Sequence, residues 1–249
     1  MPPEEHRLTV ETQYEHWWYT GRQDIMRALI ERNINLAARL DIADAGCGVG
    51  VNTGFLRQYG QVTAYDNDEY VLQFVKSQWG GALDTVKWTY PNPLPKKHDL
   101  IVMTDVLEHF EDDAGVARWL YDQLNDGGYV LLTVPANRLL WSEMDDLLGH
   151  FRRYDRQMLK KLFCPAFEAV QVSYYNCLLL PVKLLFAGFS RIKTRLLPSR
   201  PKRSYNETPS GPVNMFFRMC ISSEAAMLRS FSLPWGVALV ALFRKPPRR

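Results

Sequence analysis

The sequence predicts an α/β fold: a sheet of seven strands with helices on both faces, and a helical insertion between the sixth and seventh strands. Three observations predict it. Short apolar runs alternate with amphipathic stretches of helical period, the pattern of strands joined by helical crossovers. The first apolar run ends directly in a glycine cluster, Gly46, Gly48 and Gly50, before helical periodicity resumes. The alternation then lapses over residues 177–233 and returns for one last apolar run. With 249 residues, 47% hydrophobic and 23% charged, the chain can bury a core and is too apolar to be disordered.

Arg22 to Arg39 reads as an amphipathic helix, with Ile25, Leu29, Ile30, Ile34 and Leu36 among its apolar positions. Ile42 to Ala45 is the first strand, and Val51 to Tyr59 a helix. Gln61 to Tyr65 alternates as a second strand that ends at Asp66, and Asp68 caps a helix reaching Trp79. Thr85 to Thr89 is a third strand. The segment with Pro91, Pro93 and Pro95 is a loop, because proline cannot donate to a ladder. Asp99 to Thr104 is a buried fourth strand and Asp113 to Leu124 a helix. Asp126-Gly127-Gly128 turns into the apolar fifth strand, Tyr129 to Val134. The alternation implies a parallel sheet.

Beyond Pro135 a long loop, Ala136 to Asp155, precedes a short helix, Arg156 to Phe163. Phe167 to Tyr175 reads as the sixth strand and Trp235 to Phe243 as the seventh. Between them lie an apolar helical piece, Leu178 to Leu197, a basic linker, Pro198 to Pro212, and a second helix, Val213 to Phe231. The organisation expected is a helical cap over 1–40, a core over 41–176 and 234–246, and an insertion over 177–233 that acts as an acceptor lid or meets a membrane.

Charge is unevenly spread. The net charge is +3, yet from Ala169 to Arg249 thirteen Lys and Arg face two acids, Glu207 and Glu224. Such polarity suggests an anionic partner, such as a phospholipid surface or a phosphorylated substrate. Four cysteines without CxxC spacing and five histidines form no zinc pattern, so reduced thiols and no metal are expected. Met1 to Val10 has no apolar stretch of the signal-peptide kind. The longest apolar run, Tyr174 to Phe189, is interrupted by Asn176, Pro181 and Lys183 and is too short to span a bilayer. The location expected is cytoplasmic, peripheral on the inner face of a membrane if the insertion binds lipid.

The chemistry starts at the glycine cluster. Asp44-Ala45-Gly46-Cys47-Gly48-Val49-Gly50 lies between a strand and a helix, where backbone N–H groups can approach a ligand. Val51 stands where a dinucleotide site would place its third glycine, which argues against a nicotinamide-dependent dehydrogenase. Asp66, twenty residues after Gly46, ends the second strand, where an acid takes the two ribose hydroxyls of an adenosine.

With Tyr65-Asp66-Asn67, Asp105-Val106-Leu107-Glu108-His109 and the run Leu124 to Pro135, this loop resembles the class I S-adenosylmethionine-dependent methyltransferases. The front segment Glu15 to Arg22 and the loop Leu148 to Tyr154 are similar to those of a bacterial subgroup associated with small molecules and glycolipids. The resemblance implies a seven-stranded Rossmann-like sheet and S-adenosylmethionine as cofactor. It implies that Gly46, Gly48 and Gly50 wrap the methionine part, with Asp44 near its amino group. It places Asp66 on the ribose, Asn67 beside the adenine, Asp105 facing the sulfonium, and Tyr19 and Arg22 over the carboxylate. The position that reads the adenine amino group in relatives has no matching acid near Thr89-Tyr90.

Methyl transfer needs an aligned nucleophile and a way to remove a proton. His109 and His150 are candidate general bases, with Glu108 as a carboxylate alternative. Trp141, Arg152, Arg153 and Tyr154 suggest an acceptor-binding loop, since arginine pairs bidentately with phosphate or carboxylate. His16, Trp17, Trp18 and Tyr19 form an aromatic front that either packs as a cap or excludes water from the sulfonium, with Trp17 and Trp18 as acceptor contacts. The expected reaction is O-methylation of a small-molecule or lipid-linked acceptor, with nitrogen and carbon left open. A silent cofactor-binding module is the non-enzyme rival. A nucleic-acid partner is not expected, because Pro91-Asn92-Pro93 is not the Asn-Pro-Pro-aromatic pattern used on flipped bases.

Overall fold

The computed structural model describes residues 10–79, 83–185 and 208–247. Its elements are α1 (Trp17–Asn33), β1 (Leu40–Ala45), α2 (Thr53–Leu56), β2 (Gly60–Asp66), α3 (Glu69–Trp79), β3 (Asp84–Lys87), β4 (His98–Thr104), α4 (Asp113–Gln123), β5 (Leu124–Pro135), α5 (Glu143–Leu148), α6 (Arg156–Phe163), β6 (Glu168–Tyr175), α7 (Gly211–Leu228) and β7 (Ala238–Arg244). One seven-stranded sheet runs in the order β3-β2-β1-β4-β5-β7-β6. The pairs among β1 to β5 are parallel, whereas β7 lies antiparallel between β5 and β6. The parallel sheet expected from the alternation holds through β5, and β7, beyond that alternation, runs the other way. A strand's direction is set by where the preceding connection delivers the chain, and β7's own residues carry no trace of it.

Strand alternation sends successive side chains to opposite faces. Leu100 and Val102 of β4 join the core under α1 and α7, together with Ile25, Leu29 and Ile221. Ile101 and Met103 join the core under α4 and α6, with Val116, Leu120, Leu159 and Phe163. Fully burying each such large apolar side chain contributes about 1.5–3 kcal/mol.

Helix α1 starts at Trp17, ahead of the expected Arg22, because His16 serves as its N-cap: the ring Nδ1 accepts the Trp18 N–H at 3.1 Å. It stops at Asn33, and Ile34 is already extended. Its closest partner is α7, the second helix of the insertion. A Cβ on Gly21 would stand 2.6 Å from Ile221 Cγ2, so glycine lets the two helices approach. Polar ties line the seam: Arg218 and Ser222 reach Asp24 at 2.8 and 2.9 Å, Arg229 reaches Glu31 at 2.8 Å, and Asn214 accepts the Trp17 N–H at 2.9 Å.

Three other expectations shift. Val51 to Tyr59 contains only the single turn α2, because Asn52 spends its amide on Thr104 at 2.8 Å and the chain already enters β2 at Gly60. The Asp126-Gly127-Gly128 turn is absorbed into β5, with Gly127 at φ +80° and a register irregularity opposite His98 and Leu100. The long loop after β5 contains α5. In the insertion, residues 178–179 form a turn and 180–185 are helical, and 186–207, with the rest of the expected apolar helix and most of the linker, lie outside the described residues. Among the described residues no helix is long and apolar enough to cross a membrane.

Candidate active site

The carboxyl ends of β1, β4 and β5 open into a cleft of about 370 Å³, roofed by α1, α5 and the start of the insertion. Ligands of open α/β sheets bind at this edge.

At one end lies the glycine loop. Gly46, Gly48 and Gly50 all have positive φ, at 77°, 52° and 82°, which side chains resist. A Cβ on Gly46 would stand 2.6 Å from Val106 Cγ2, whereas one on Gly48 would meet nothing within 4 Å, so the backbone there lies open to the cleft. Asp66 shapes this loop: its carboxylate accepts the Gly48 N–H at 2.9 Å and the Asp68 N–H at 3.1 Å. Asn67 is exposed beside it. Asp44 lies buried behind the loop and accepts the Thr53 hydroxyl at 2.6 Å. Desolvation raises its carboxyl to a pKa of about 6, against the opposing pull of Thr53 and Arg22.

In the middle stands Asp105, in the left-handed region at φ 54° just past β4. One of its oxygens accepts the Thr133 hydroxyl at 3.0 Å, and the other pairs with the buried Arg22 guanidinium. Arg22 also lies over the Tyr19 ring, 5.8 Å from its centroid. Trp18, Tyr19 and Arg22 of α1 all line the cleft. Two buried atoms here, Arg22 Nε and Asn52 Oδ1, have no hydrogen-bond partner within the protein. A polar ligand in the cleft would satisfy what the fold leaves open.

At the far end Glu108, His109 and His150 come together with Met144, Leu148, Arg153 and Lys183. The two imidazoles meet edge to face with centroids 4.8 Å apart, and His150 Nε2 is 4.0 Å from Glu108 Oε1. His150 Nδ1 bonds Asp145 at 3.0 Å. Asp145 is held from the other side by Arg153, through Nε at 2.8 Å and Nη2 at 3.0 Å. His150 and Arg153 therefore push the Asp145 carboxyl well below the usual range in spite of its burial. Glu108 is fully buried, and neither of its oxygens has a partner. Burial first and Asp105 second push its carboxyl well above the usual range. Desolvation, with His150 close by, lowers His109.

Four acceptor-contact expectations are corrected. Trp17 packs against Phe217, and its flat area goes to the α1–α7 core. Trp141 donates its Nε1–H to Asp146 at 3.0 Å. Arg152 is taken up by Asp113 at 2.7 Å and by the Glu111 carbonyl at 2.6 Å. Tyr154 is buried with its hydroxyl on Asp113 at 3.0 Å. None of the four is among the residues lining the cleft, and neither are Asp44, Gly50, Asp66 and Asn67 of the expected cofactor set, whereas Trp18 and Arg153 are. Sequence reasoning missed Asn52, Asp145 and Lys183. Lys183 had a signal, as a single cation inside an otherwise apolar run.

Residues 14–172 match a family model described as a methyltransferase domain. The chain belongs to that family. It is a member of the class I S-adenosylmethionine-dependent methyltransferase family, and its sheet is the Rossmann-like sheet of that family. A "Probable S-adenosylmethionine-dependent methyltransferase" of Mycobacterium tuberculosis is 29% identical over 130 residues, 51% of this chain and 46% of that protein. A similarly described protein of Mycolicibacterium smegmatis is 27% identical over 134 residues, 51% of this chain and 49% of that one. The chain thus spans about half the length of the curated relatives it matches. Among solved structures, the N-methyltransferase NodS of Bradyrhizobium japonicum with S-adenosyl-L-homocysteine superposes with a TM-score of 0.51 at 12% identity, covering 89% of this chain and 84% of that one. Magnesium protoporphyrin IX methyltransferase of Synechocystis, also with the demethylated cofactor bound, gives 0.54 at 14% identity, covering 91% and 84%. The [4+2]-cyclase SpnF gives 0.55 at 14% identity over 91% and 81%. At such identities the likeness concerns the fold, and a fold does not name a reaction. The cleft fits the family's cofactor: an open glycine backbone at Gly48, and two lining residues, Arg22 and Asn52, each with a buried polar atom that no protein group satisfies.

Proposed function

We propose that this methyltransferase methylates an oxygen of a small-molecule or lipid-linked acceptor. The observation that carries the reading is a single cleft with the glycine loop at one end and the Glu108–His109–His150 cluster at the other. S-adenosylmethionine, when bound, supplies a methyl group on a cationic sulfur. Gly46, Gly48 and Gly50 would cradle its methionine part through backbone N–H groups. Asp66 and Asn67 would take the ribose and adenine. Asp44 would face the amino group, and Tyr19 and Arg22 would close over the carboxylate, with Asp105 between the two ends. Trp18 and Tyr19 would keep water out. The Glu108–His109–His150 cluster would receive the acceptor hydroxyl, and an imidazole nitrogen there can take its proton. Lys183, which lines the cleft, offers positive charge to an anionic acceptor.

The insertion supports an amphiphilic acceptor or an anionic membrane surface. Leu178, Val182 and Leu185 are exposed, as are Met215, Phe216 and Met219 on the side of α7 away from α1. An apolar face with basic residues nearby suits an interfacial element. On this reading the enzyme works in the cytoplasm, peripheral on the inner face of a membrane.

The test is incubation with methyl-labelled cofactor and extracts of host metabolites and lipids, followed by identification of the labelled product. An alkali-stable methyl ether or a methyl ester supports the reading, and label on nitrogen or carbon overturns the oxygen assignment. Co-sedimentation with vesicles should rise with anionic lipid and fall with salt.

A further inference from the structure

The far end of the cleft has a property that proton transfer does not require. Among the described residues, Glu108, His109 and His150 form a group whose ligand atoms all lie within 4.8 Å of one another. Two imidazoles and one carboxylate are a donor set for a divalent transition cation.

The surroundings are arranged as a ligand shell would be. A metal-bound histidine normally gives its other ring nitrogen to a carboxylate or a backbone carbonyl, which fixes ring and tautomer. His150 does so through Nδ1 on Asp145 at 3.0 Å, which turns Nε2 toward Glu108. The His109 ring lies edge to face against the His150 ring, with 4.8 Å between centroids. Asp145 is itself fixed by Arg153 and by the Ser142 N–H at 2.9 Å. Glu108 is fully buried with both oxygens unpartnered, and a buried carboxyl in that state is costly unless something fills the gap. The neighbouring cations do not fill it, since Arg22 pairs with Asp105 and Arg153 with Asp145. The three residues line the cleft, so an ion has a path in and open coordination positions on the acceptor side.

We propose that Glu108, His109 and His150 bind one divalent transition cation, of the Mn²⁺, Co²⁺ or Zn²⁺ kind, which takes an acceptor oxygen as a further ligand. This rests on the methyl-transfer reading for its role and deepens it. The imidazoles are then ligands and not bases. A hydroxyl bound to the cation is acidified and yields its proton to water, leaving an oxygen nucleophile facing the cofactor end. The imidazole donors favour such a cation over Mg²⁺.

The experiment is titration of the chelator-stripped full chain with Mn²⁺, followed by loss of the free-ion electron paramagnetic resonance signal, and with Co²⁺, followed by its visible absorption. Mn²⁺ has little affinity for the free thiols. One ion per chain is expected, lost in Glu108→Gln and in His150→Gln. Asp145→Asn should weaken binding by about 10–100-fold. Each variant is checked for S-adenosyl-L-homocysteine affinity, which an intact fold leaves unchanged. No stoichiometric ion on the wild type, or an ion that persists in the folded Glu108→Gln and His150→Gln variants, overturns the proposal. Failure of the wild type to bind S-adenosyl-L-homocysteine would overturn the methyl-transfer reading and leave the ion count standing by itself.

Discussion

The two ends of the cleft are built in different ways. The glycine-loop end is local: Gly46, Gly48 and Gly50 follow β1 directly, and Asp66 closes the next strand and bonds back to Gly48 at 2.9 Å. The far end is assembled from distance. Glu108 and His109 follow β4, His150 and Arg153 come from the segment after α5, and Lys183 comes from the insertion. The local end has little freedom to vary, because positive-φ glycines and strand ends fix its backbone. The far end is a convergence of side chains held by one another through Asp145, so it can change chemistry without disturbing the sheet.

If that contrast is right, substitutions should separate cleanly. The largest effect is expected at the far end. His150→Gln should lower turnover by about 10²–10⁴-fold while S-adenosyl-L-homocysteine affinity by calorimetry stays the same. Coupled losses of both would show that the ends act as one. Next comes Asp66→Ala, which removes the acceptor of two backbone N–H groups. It should weaken cofactor binding by about 1–3 kcal/mol, read in the same calorimeter, with turnover at saturating cofactor little changed.

A smaller effect should follow pH through Asp44. Its folded pKa, about 6, lies above the ordinary carboxyl value of 3.8. Protonation therefore favours the unliganded fold as pH falls through 6, and this group's contribution to stability declines as pH rises. Attraction for a cationic amino group runs the other way, because only the carboxylate offers it. Cofactor affinity should drop by up to about tenfold per pH unit below 6, and Asp44→Asn should flatten that dependence. A profile as steep in Asp44→Asn as in the wild type would remove Asp44 from the cofactor end. The smallest effect is at the α1–α7 seam. Arg218→Ala loses a half-exposed ion pair with Asp24 and should cost only about 0.2–1 kcal/mol, visible as a slight fall in Tm with catalysis intact.

Much of the local end was legible in the sequence. Gly46 to Gly50, Asp66 and Asp105 each sit where a strand stops, and strand ends are marked by periodicity and turn residues. His150 was placed correctly on the cleft for a similar reason, through its position after β5. What the sequence did not show is which side chains are already spent. Arg152 and Arg153 are adjacent and look alike, yet one is tied to Asp113 and the other to Asp145 at the cleft. Tyr154 and Trp141 read as contacts for a substrate because they are aromatic and follow a strand, and the fold uses them to anchor its own loops. The antiparallel β7 was equally invisible, since its apolar residues would suit either direction.

The position of β7 has a consequence for how the molecule is made. Its residues Ala238 to Arg244 pair with β5 on one side and with β6 on the other. During synthesis, β5 and β6 emerge long before the strand that joins them. Until then β6 has no neighbour and β5 carries an open apolar edge, the kind of surface on which nascent chains aggregate. The cleft inherits the same delay, because Val237 and Ala238 belong to its lining. A ribosome-bound chain halted before β7 would thus be both inactive and adhesive, and its handling by holding chaperones should end when those seven residues appear.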